Sequence, residues 1–206
     1  MATRIANPSS QMRKQPRQAR SHATIEAILH AAAHILGERG WQGLTTNAVA
    51  DLAGVSIGSL YQYFPNKLAL IEGVRQRHFD DVLGALRAAI EGEKPARQRI
   101  TAFVDGMIAA HARHPATHRV LLEDAPRGAA SKPTHEAFEA SYLTCYESLI
   151  AAVNPHSSGD DRTRRARVLS SALAGAIHDA ARRGSLQTPR LRQELIELVA
   201  GYLKMK

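Results

Sequence analysis

Residues 54–64 (GVSIGSLYQYF) combine small residues, hydroxyl groups, aromatic rings and one amide, and they contain no charged side chain. The hydroxyl groups belong to Ser56, Ser59, Tyr61 and Tyr63. Hydroxyls can bond phosphate oxygens, and the amide of Gln62 can pair bidentately with adenine. Ile57 can contact a thymine methyl group, and Gly58 lets the backbone approach a partner closely. These residue types predict a surface that binds nucleic acid.

Neighbouring residues supply further groups for contacts to phosphate. Thr45 and Thr46 carry hydroxyls just before this stretch, and Lys67 follows Pro65-Asn66 as a candidate phosphate clamp. The start of a helix also offers free N–H groups and a positive dipole end to an anion. Charge attraction would therefore come from Lys67, the basic residues near the N-terminus and helix ends, while the neutral residues position the chain and recognise bases.

The alternative interpretation is that these residues only pack against their neighbours. Tyr61 and Gln62 point in different directions around the helix, so they cannot both face the core beside Leu60 and Phe64. Part of the stretch must then be exposed, and the pattern favours a contact surface.

Hydrophobic spacing predicts the helices that position this surface. They cover about 21–38, 46–53, 57–63 and 67–90, and the buried residues of the two short ones are Val49, Leu52, Leu60 and Phe64. Thr45 and Ser56 are suitable N-caps for the two short helices, and Gly54 breaks the chain between them. Two short helices joined by a glycine turn are typical of a helix-turn-helix. Neither is stable alone at that length, so both must lean on the helices before and after them.

The rest of the chain is also predicted to be helical, with no strand pattern. The expected features are a helix from about 96 that Pro115 ends or kinks, a short helix holding Val120 and Leu121, a loop over 125–133, a helix ended by Asn154-Pro155, and helices over about 161–182 and 189–204. The fold class is therefore all-α, with about nine helices.

Composition limits the classes of protein to consider. The 206 residues carry a net charge of +8, and residues 1–20 hold five basic residues and no acidic one. This segment is predicted to be a disordered basic arm, either simply solvated or touching phosphates or a minor groove. The single cysteine, Cys145, excludes an intrachain disulfide. No apolar run is long enough for a membrane span or a signal peptide, so we expect no membrane contact and a cytoplasmic location.

Residues 43–72 (GLTTNAVADLAGVSIGSLYQYFPNKLALIE) resemble the TetR family of bacterial transcriptional regulators, and the preceding AAAHILGERGW resembles the end of that family's first helix. The resemblance covers about residues 20–75. It places DNA contacts at Thr45, Thr46 and Asn47 and on the recognition helix, with Lys67 as the phosphate clamp. The recognition-helix contacts are Ile57, Gly58, Ser59, Tyr61, Gln62 and Tyr63, and Ser56 is a further candidate because of its hydroxyl. Ala48 departs from the family pattern, because an acidic residue often closes a capping box there.

The family resemblance also implies how the chain is organised. A DNA-binding domain at 21–67 would be followed by a helical effector-binding and dimerisation domain at 68–206. The helices at about 161–182 and 189–204 would form a four-helix bundle with those of a second copy. Ala172, Gly175 and Ala176 permit close helix approach, although an intramolecular core is the alternative. A homodimer suits a palindromic double-stranded DNA operator.

The effector is an unknown small molecule, and its pocket is expected between the middle helices. The candidate residues are Phe103, Met107, Tyr142, Tyr146 and His178, which could equally be ordinary core. They would suit a mostly apolar ligand with a hydroxyl or carbonyl group. His111, His114 and His118 lie near one helical face, but Pro115 interrupts it and no further ligand completes a set, so no metal or cofactor is expected. Cys145 sits among apolar and aromatic residues and is expected in the core.

These patterns predict a sequence-specific DNA-binding transcriptional regulator. The first hypothesis is a repressor that a small-molecule effector releases from a palindromic operator. The alternative is an activator, or a ligand-independent or nucleoid-type regulator with the same DNA-binding domain. The sequence shows no Ser-His-Asp arrangement, phosphate loop or metal signature, so we do not expect an enzyme.

Overall fold

A computed structural model describes residues 19–113, 120–121 and 132–204. These residues form eight helices and no strand: α1 (Ala19–Gly43), α2 (Thr46–Ala53), α3 (Ile57–Tyr63), α4 (Lys67–Ile90), α5 (Ala96–Ala112), α6 (Lys132–Val153), α7 (Gly159–Arg182) and α8 (Pro189–Lys204). The all-α prediction is confirmed, with eight helices described instead of about nine. The short helix expected around Val120 and Leu121, the loop at 125–133, Pro115 and the basic arm fall wholly or largely outside the described residues.

The chain divides into two compact units. The first contains the described residues within Met1–Arg77 and Ala116–Thr134, and the second those within His78–Pro115 and His135–Lys206. The division lies between Arg77 and His78, inside α4. The first unit therefore contains the helix-turn-helix and the start of α4.

Side-chain caps and one glycine fix the turns of the first unit. Thr45 caps α2 by accepting a hydrogen bond from the Ala48 N–H at 3.2 Å, even without an acidic residue at position 48. Gly54 ends α2 in the left-handed region (φ 67°, ψ 31°), which glycine adopts without a steric penalty. Ser56 caps α3 through the Ser59 N–H, so the predicted starts of both short helices are correct.

The core of the first unit includes residues from all four of its helices. Leu44, Val49, Leu60 and Phe64 are fully buried in it. Val120 and Leu121 belong to the same core, although they lie between α5 and α6 along the chain. Two residues from the middle of the sequence therefore complete the core beneath the helix-turn-helix.

Leu52 corrects one sequence-based expectation, because it is 53% exposed rather than buried. Val49 and Ala50 are the buried residues of α2, and Ala53 packs against the same core. At about 100° per residue, Ala53 falls between Val49 and Ala50, while Leu52 lies about 110° from the centre of that face. The two small alanines therefore face the core, and the leucine does not.

The second unit packs α5 to α8 and the end of α4 around another core. Gly106 allows α5 to approach α4 closely, because a Cβ at that position would lie 3.1 Å from the Ala85 Cβ. Arg192 on α8 donates two hydrogen bonds to the Asp105 carboxylate on α5, at 2.6 and 2.8 Å. None of the helices in the described part of the chain is long and apolar enough to cross a membrane.

Candidate nucleic-acid interface

The α2–α3 surface exposes most of the residues that the sequence assigned to DNA contact. Among them, Thr45, Asn47, Ser56, Ile57, Gly58, Tyr61 and Gln62 are exposed, Thr46, Ser59 and Lys67 are half-buried, and Tyr63 is buried. Ile57 and Tyr61 are 39% and 42% exposed, although both are large and largely apolar. We call this set, without Tyr63 and Lys67, the α2–α3 surface.

A hydrogen bond joins the start of α2 to α3 across this surface. The Thr46 hydroxyl lies 3.1 Å from the Tyr61 hydroxyl, which holds the tyrosine ring beside the first turn of α2. The Ser56 and Ser59 hydroxyls are 2.8 Å apart at the start of α3. The side chains that carry hydroxyls are thus held in place by one another and by the helix caps, so their positions are set before any ligand binds.

Gly58 has no evident packing reason to be glycine. A Cβ at this position would meet only the Ser56 Oγ among the described atoms, at 3.9 Å, which is an ordinary contact. Glycine inside a helix costs about 1 kcal/mol relative to alanine. Since the fold leaves room for a side chain, the space above Gly58 is available to a partner that approaches the backbone.

Lys67 is the positive group beside the α2–α3 surface. It is the first residue of α4, and the preceding Asn66 caps that helix by accepting a hydrogen bond from the Ala69 N–H at 2.9 Å. The Lys67 ammonium lies 3.9 Å from the centre of the Trp41 ring. Partial burial lowers the pKa of Lys67. The start of α4 therefore presents a cation whose position is fixed by both helix and ring.

Tyr63 is placed differently from the other tyrosine of α3. It is only 7% exposed and belongs to the core of the first unit with Leu60 and Phe64. Its ring is therefore a packing element, and its hydroxyl is the polar group of the side chain. Replacing Tyr63 with alanine would remove core volume as well as that hydroxyl, so alanine is unsuitable as a test of binding.

Both halves of the chain match models of one protein family. Residues 28–74 match the bacterial regulatory proteins of the tetR family, and residues 95–203 match the tetracyclin repressor-like C-terminal domain. The chain belongs to the TetR family. It is a DNA-binding transcriptional regulator, and the α2–α3 surface lies within the part that matches the N-terminal family model.

Individual TetR-family proteins are similar over most of the chain. The transcriptional activator FasR of Mycolicibacterium smegmatis is 30% identical over 75% of this chain and 69% of its own length. The transcriptional repressor KstR of the same organism is 29% identical over 84% of this chain and 85% of its own length. The crystal structure of a TetR-family regulator from Streptomyces coelicolor has the same fold, with a TM-score of 0.65, 24% identity, and coverage of 89% of this chain and 97% of that one.

The residues expected at the TetR-family effector site come together in the second unit. The Phe103 and Tyr146 rings pack edge to face with centres 4.8 Å apart. The Tyr142 and Tyr146 hydroxyls are 2.9 Å apart, and the Tyr142 hydroxyl lies 4.0 Å from the Met107 Sδ. Burial raises the pKa of Tyr142 to about 12 and raises that of Tyr146 as well. Both phenols are therefore neutral at physiological pH. The three rings and the Met107 side chain form one group, which we call the aromatic cluster.

His178, the fifth effector candidate, belongs to a neighbouring group of histidines. Its ring centre is 5.5 Å from that of His111, which in turn lies 5.3 Å from that of His78. His111 is 3% exposed, and its Nδ1–H donates to the Met107 carbonyl at 2.8 Å. Burial, opposed by this hydrogen bond and assisted by the charge of His178, lowers the pKa of His111 to about 4. His111 is therefore neutral at physiological pH.

The expectations for metal binding and for Cys145 concern the same region. His114 and His118 lie outside the described residues, and within the described ones no group of three or more potential ligands could hold a metal ion. Cys145 is 4% exposed, and burial raises the pKa of its thiol, as expected for a core cysteine.

Sequence reasoning did not assign three residues of interest to a site: Trp41, Leu52 and His111. Leu52 lines a cleft of about 290 Å³ with His34 and Glu38. Trp41 carried a usable signal, because it is the single tryptophan of the chain and directly follows a glycine. The packing of His111 against His178 had no such signal, since it depends on how α5 and α7 pack.

Proposed function

We propose that this regulator binds a palindromic operator as a homodimer, and that a small-molecule effector releases it and relieves repression. The observation that carries the DNA-binding part is the exposed, uncharged α2–α3 surface with its open space above Gly58. Neutral hydroxyl and amide groups suit base and phosphate contacts, while Lys67 supplies charge. As a regulator of transcription in a bacterial family, the protein would act in the cytoplasm.

The outer faces of α7 and α8 support the homodimer. Val168 on α7 and Leu198 on α8 are 53% and 45% exposed, although both are apolar. Ala172 and Gly175 are also exposed, and a Cβ at Gly175 or Gly201 would meet none of the described atoms within 4 Å. Small residues beside exposed apolar ones allow a second pair of helices to pack closely. By contrast, Leu169, Leu173 and Ile177 are buried within the single chain and belong to its own core.

Oligomeric state tests this dimer directly. Gly175→Arg places a charged side chain on the proposed contact face and should shift the chain from dimer to monomer in light scattering. Gly84→Arg is the matched control, because Gly84 is also an exposed helical glycine with open space around it, on α4. If Gly175→Arg remains a dimer, as Gly84→Arg should, this face does not form the dimer contact.

The aromatic cluster supports the effector part of the proposal. Paired phenols beside Phe103 and Met107 suit a mostly apolar ligand that carries one polar oxygen. Along the chain, Val120 and Leu121 lie between α5 and α6, the helices that bear this cluster, and they are buried in the core of the first unit. Arg75 on α4 donates to the Leu121 carbonyl at 3.4 Å and pairs with Glu72 at 2.5 Å. Movement of this segment on effector binding would therefore disturb the DNA-binding unit.

Activation is the second candidate for the sign of regulation, because FasR is named as an activator and KstR as a repressor. A reporter gene downstream of the bound site distinguishes them: deletion of the regulator raises expression under repression and lowers it under activation. An effector should raise the thermal midpoint because it binds the folded protein, and under the proposed release it should also weaken operator binding. Tyr146→Phe should reduce both responses.

Selection of binding sites from random double-stranded DNA tests the function as a whole. The proposal predicts enrichment of one two-fold symmetric motif, which we call the operator duplex. A pool that gains no motif after repeated rounds would mean binding without sequence preference, as in the nucleoid-type alternative.

A further inference from the structure

The chain makes a sharp break at the end of α1, directly before Trp41. Gly40 has φ 64° and ψ −174°, which is not helical, although helical residues lie on both sides. This conformation is essentially restricted to glycine, because a Cβ would be strained there. The break sets the direction of the short helical segment that follows it, whose first residue is the single tryptophan of the chain. Trp41 is half-buried and packs against the core of the first unit.

The Trp41 ring supports the charged end of Lys67. The ammonium lies 3.9 Å from the ring centre, well within the range of a cation–π interaction. Both partners are held from their other sides, because Trp41 packs on the core and Lys67 begins a helix that Asn66 caps. The contact is therefore built into the fold.

We propose that Trp41 is a positioning residue for DNA binding, whose indole ring holds the Lys67 ammonium ready to meet a backbone phosphate. This inference rests on the proposed role of Lys67 as the phosphate clamp. A lysine side chain normally loses considerable rotamer freedom when a partner immobilises it. A lysine already held over a ring loses less of that freedom on binding.

The chemistry of the ring makes it suitable for this role. An aromatic face attracts the ammonium through its quadrupole but accepts no conventional hydrogen bond from it. The three N–H donors of Lys67 are therefore not used up by the support, and they can donate to phosphate oxygens. A carboxylate in the same place would neutralise the charge and occupy those donors.

The competing explanation is that Trp41 only fills space at the end of α1. In that case its loss would weaken the fold, and any effect on DNA binding would not depend on Lys67. A double-mutant cycle separates the two explanations, because a pairwise coupling vanishes when either partner is absent.

Operator-duplex affinity should be measured for wild type, Trp41→Leu, Lys67→Met and the double variant. We expect Trp41→Leu to weaken binding about two- to tenfold when Lys67 is present, and to have no effect in the Lys67→Met background. Trp41→Phe keeps an aromatic face and should recover most of the affinity. The same loss in both backgrounds, or no loss in either, would overturn the inference.

The Lys67→Met variant alone tests the assumption beneath this inference. If Lys67→Met binds the operator duplex like wild type, the phosphate role of Lys67 in the proposed function fails, and the inference fails with it. If Lys67→Met weakens binding but Trp41→Leu does not, Lys67 keeps its role and only the positioning by Trp41 is wrong.

Tryptophan fluorescence gives a second readout that does not depend on DNA. Trp41 is the single tryptophan, so the emission spectrum of the free protein reports on charges beside its ring. Lys67→Met should shift this spectrum, whereas Lys94→Met, which removes an ammonium that donates to the Ala88 carbonyl, should leave it unchanged. Identical spectra for wild type and Lys67→Met would show that the ammonium does not lie over the ring in solution, and would overturn the inference.

Discussion

Adding one methyl group at Gly58 separates the requirements of the fold from those of DNA binding. In Gly58→Ala the new Cβ meets only the Ser56 Oγ among the described atoms, at 3.9 Å, so no clash opposes it. Alanine is the better helix former by about 0.5–1 kcal/mol, and the variant should be at least as stable as wild type. The methyl group would occupy the space in which DNA approaches the backbone. Loss of one charge-assisted hydrogen bond there costs about 1.5–3 kcal/mol, or roughly a tenfold to hundredfold rise in Kd.

Two assays and one control decide this prediction. Chemical denaturation gives the free energy of unfolding, and fluorescence anisotropy gives the Kd for the operator duplex. Gly84→Ala is the matched control, because Gly84 is also an exposed helical glycine whose Cβ meets none of the described atoms within 4 Å. The control should gain similar stability and bind like wild type. If Gly58→Ala also binds like wild type, the backbone at Gly58 does not approach DNA closely and the reasoning is refuted.

Two further predictions concern buried side chains. Tyr63→Ala should lower the free energy of unfolding by about 3–5 kcal/mol because it opens a cavity in the first core, whereas Tyr63→Phe should keep the fold and change DNA affinity only through the lost hydroxyl. Equal stability of the two variants would contradict this packing. The pKa of His111, about 4 in the fold against the ordinary 6.5, means that the unfolded chain binds its proton first as pH falls. The free energy of unfolding should therefore decline below about pH 6.5, by about 2 kcal/mol at about pH 5. His111→Gln should lack this part of the decline when urea titrations are made at several pH values. An equal decline with pH in both proteins would contradict this prediction.

Local signals explain why the helix-turn-helix could be predicted from the sequence. Thr45, Ser56 and Gly54 act within three or four residues of their partners, and the bounds of α2 and α3 agree with the prediction. The start of α4 at Lys67 also agrees, since Pro65-Asn66 precedes it and Asn66 provides the cap. These features need no information from distant parts of the chain.

The failures of sequence reasoning arise where distant packing decides the outcome. Leu52 is exposed because Ala50 and Ala53 face the core of the first unit, so residue size misled the prediction. Tyr63 is buried because it joins Leu60 and Phe64 in that core, which a hydroxyl-based assignment does not anticipate. The roles of DNA-contact and effector residues remain predictions, since they depend on partners outside the chain.

The salt dependence of sequence discrimination tests the central claim most directly. The affinity of wild type should be measured at two salt concentrations for the operator duplex and for a duplex of the same composition in shuffled order. The uncharged α2–α3 surface predicts that higher salt weakens binding to both duplexes by a similar factor, because it acts on phosphate contacts, while their affinity ratio is kept. A ratio that falls to about one as salt rises would contradict the account, because discrimination would then come from charge attraction and not from neutral groups on α2 and α3.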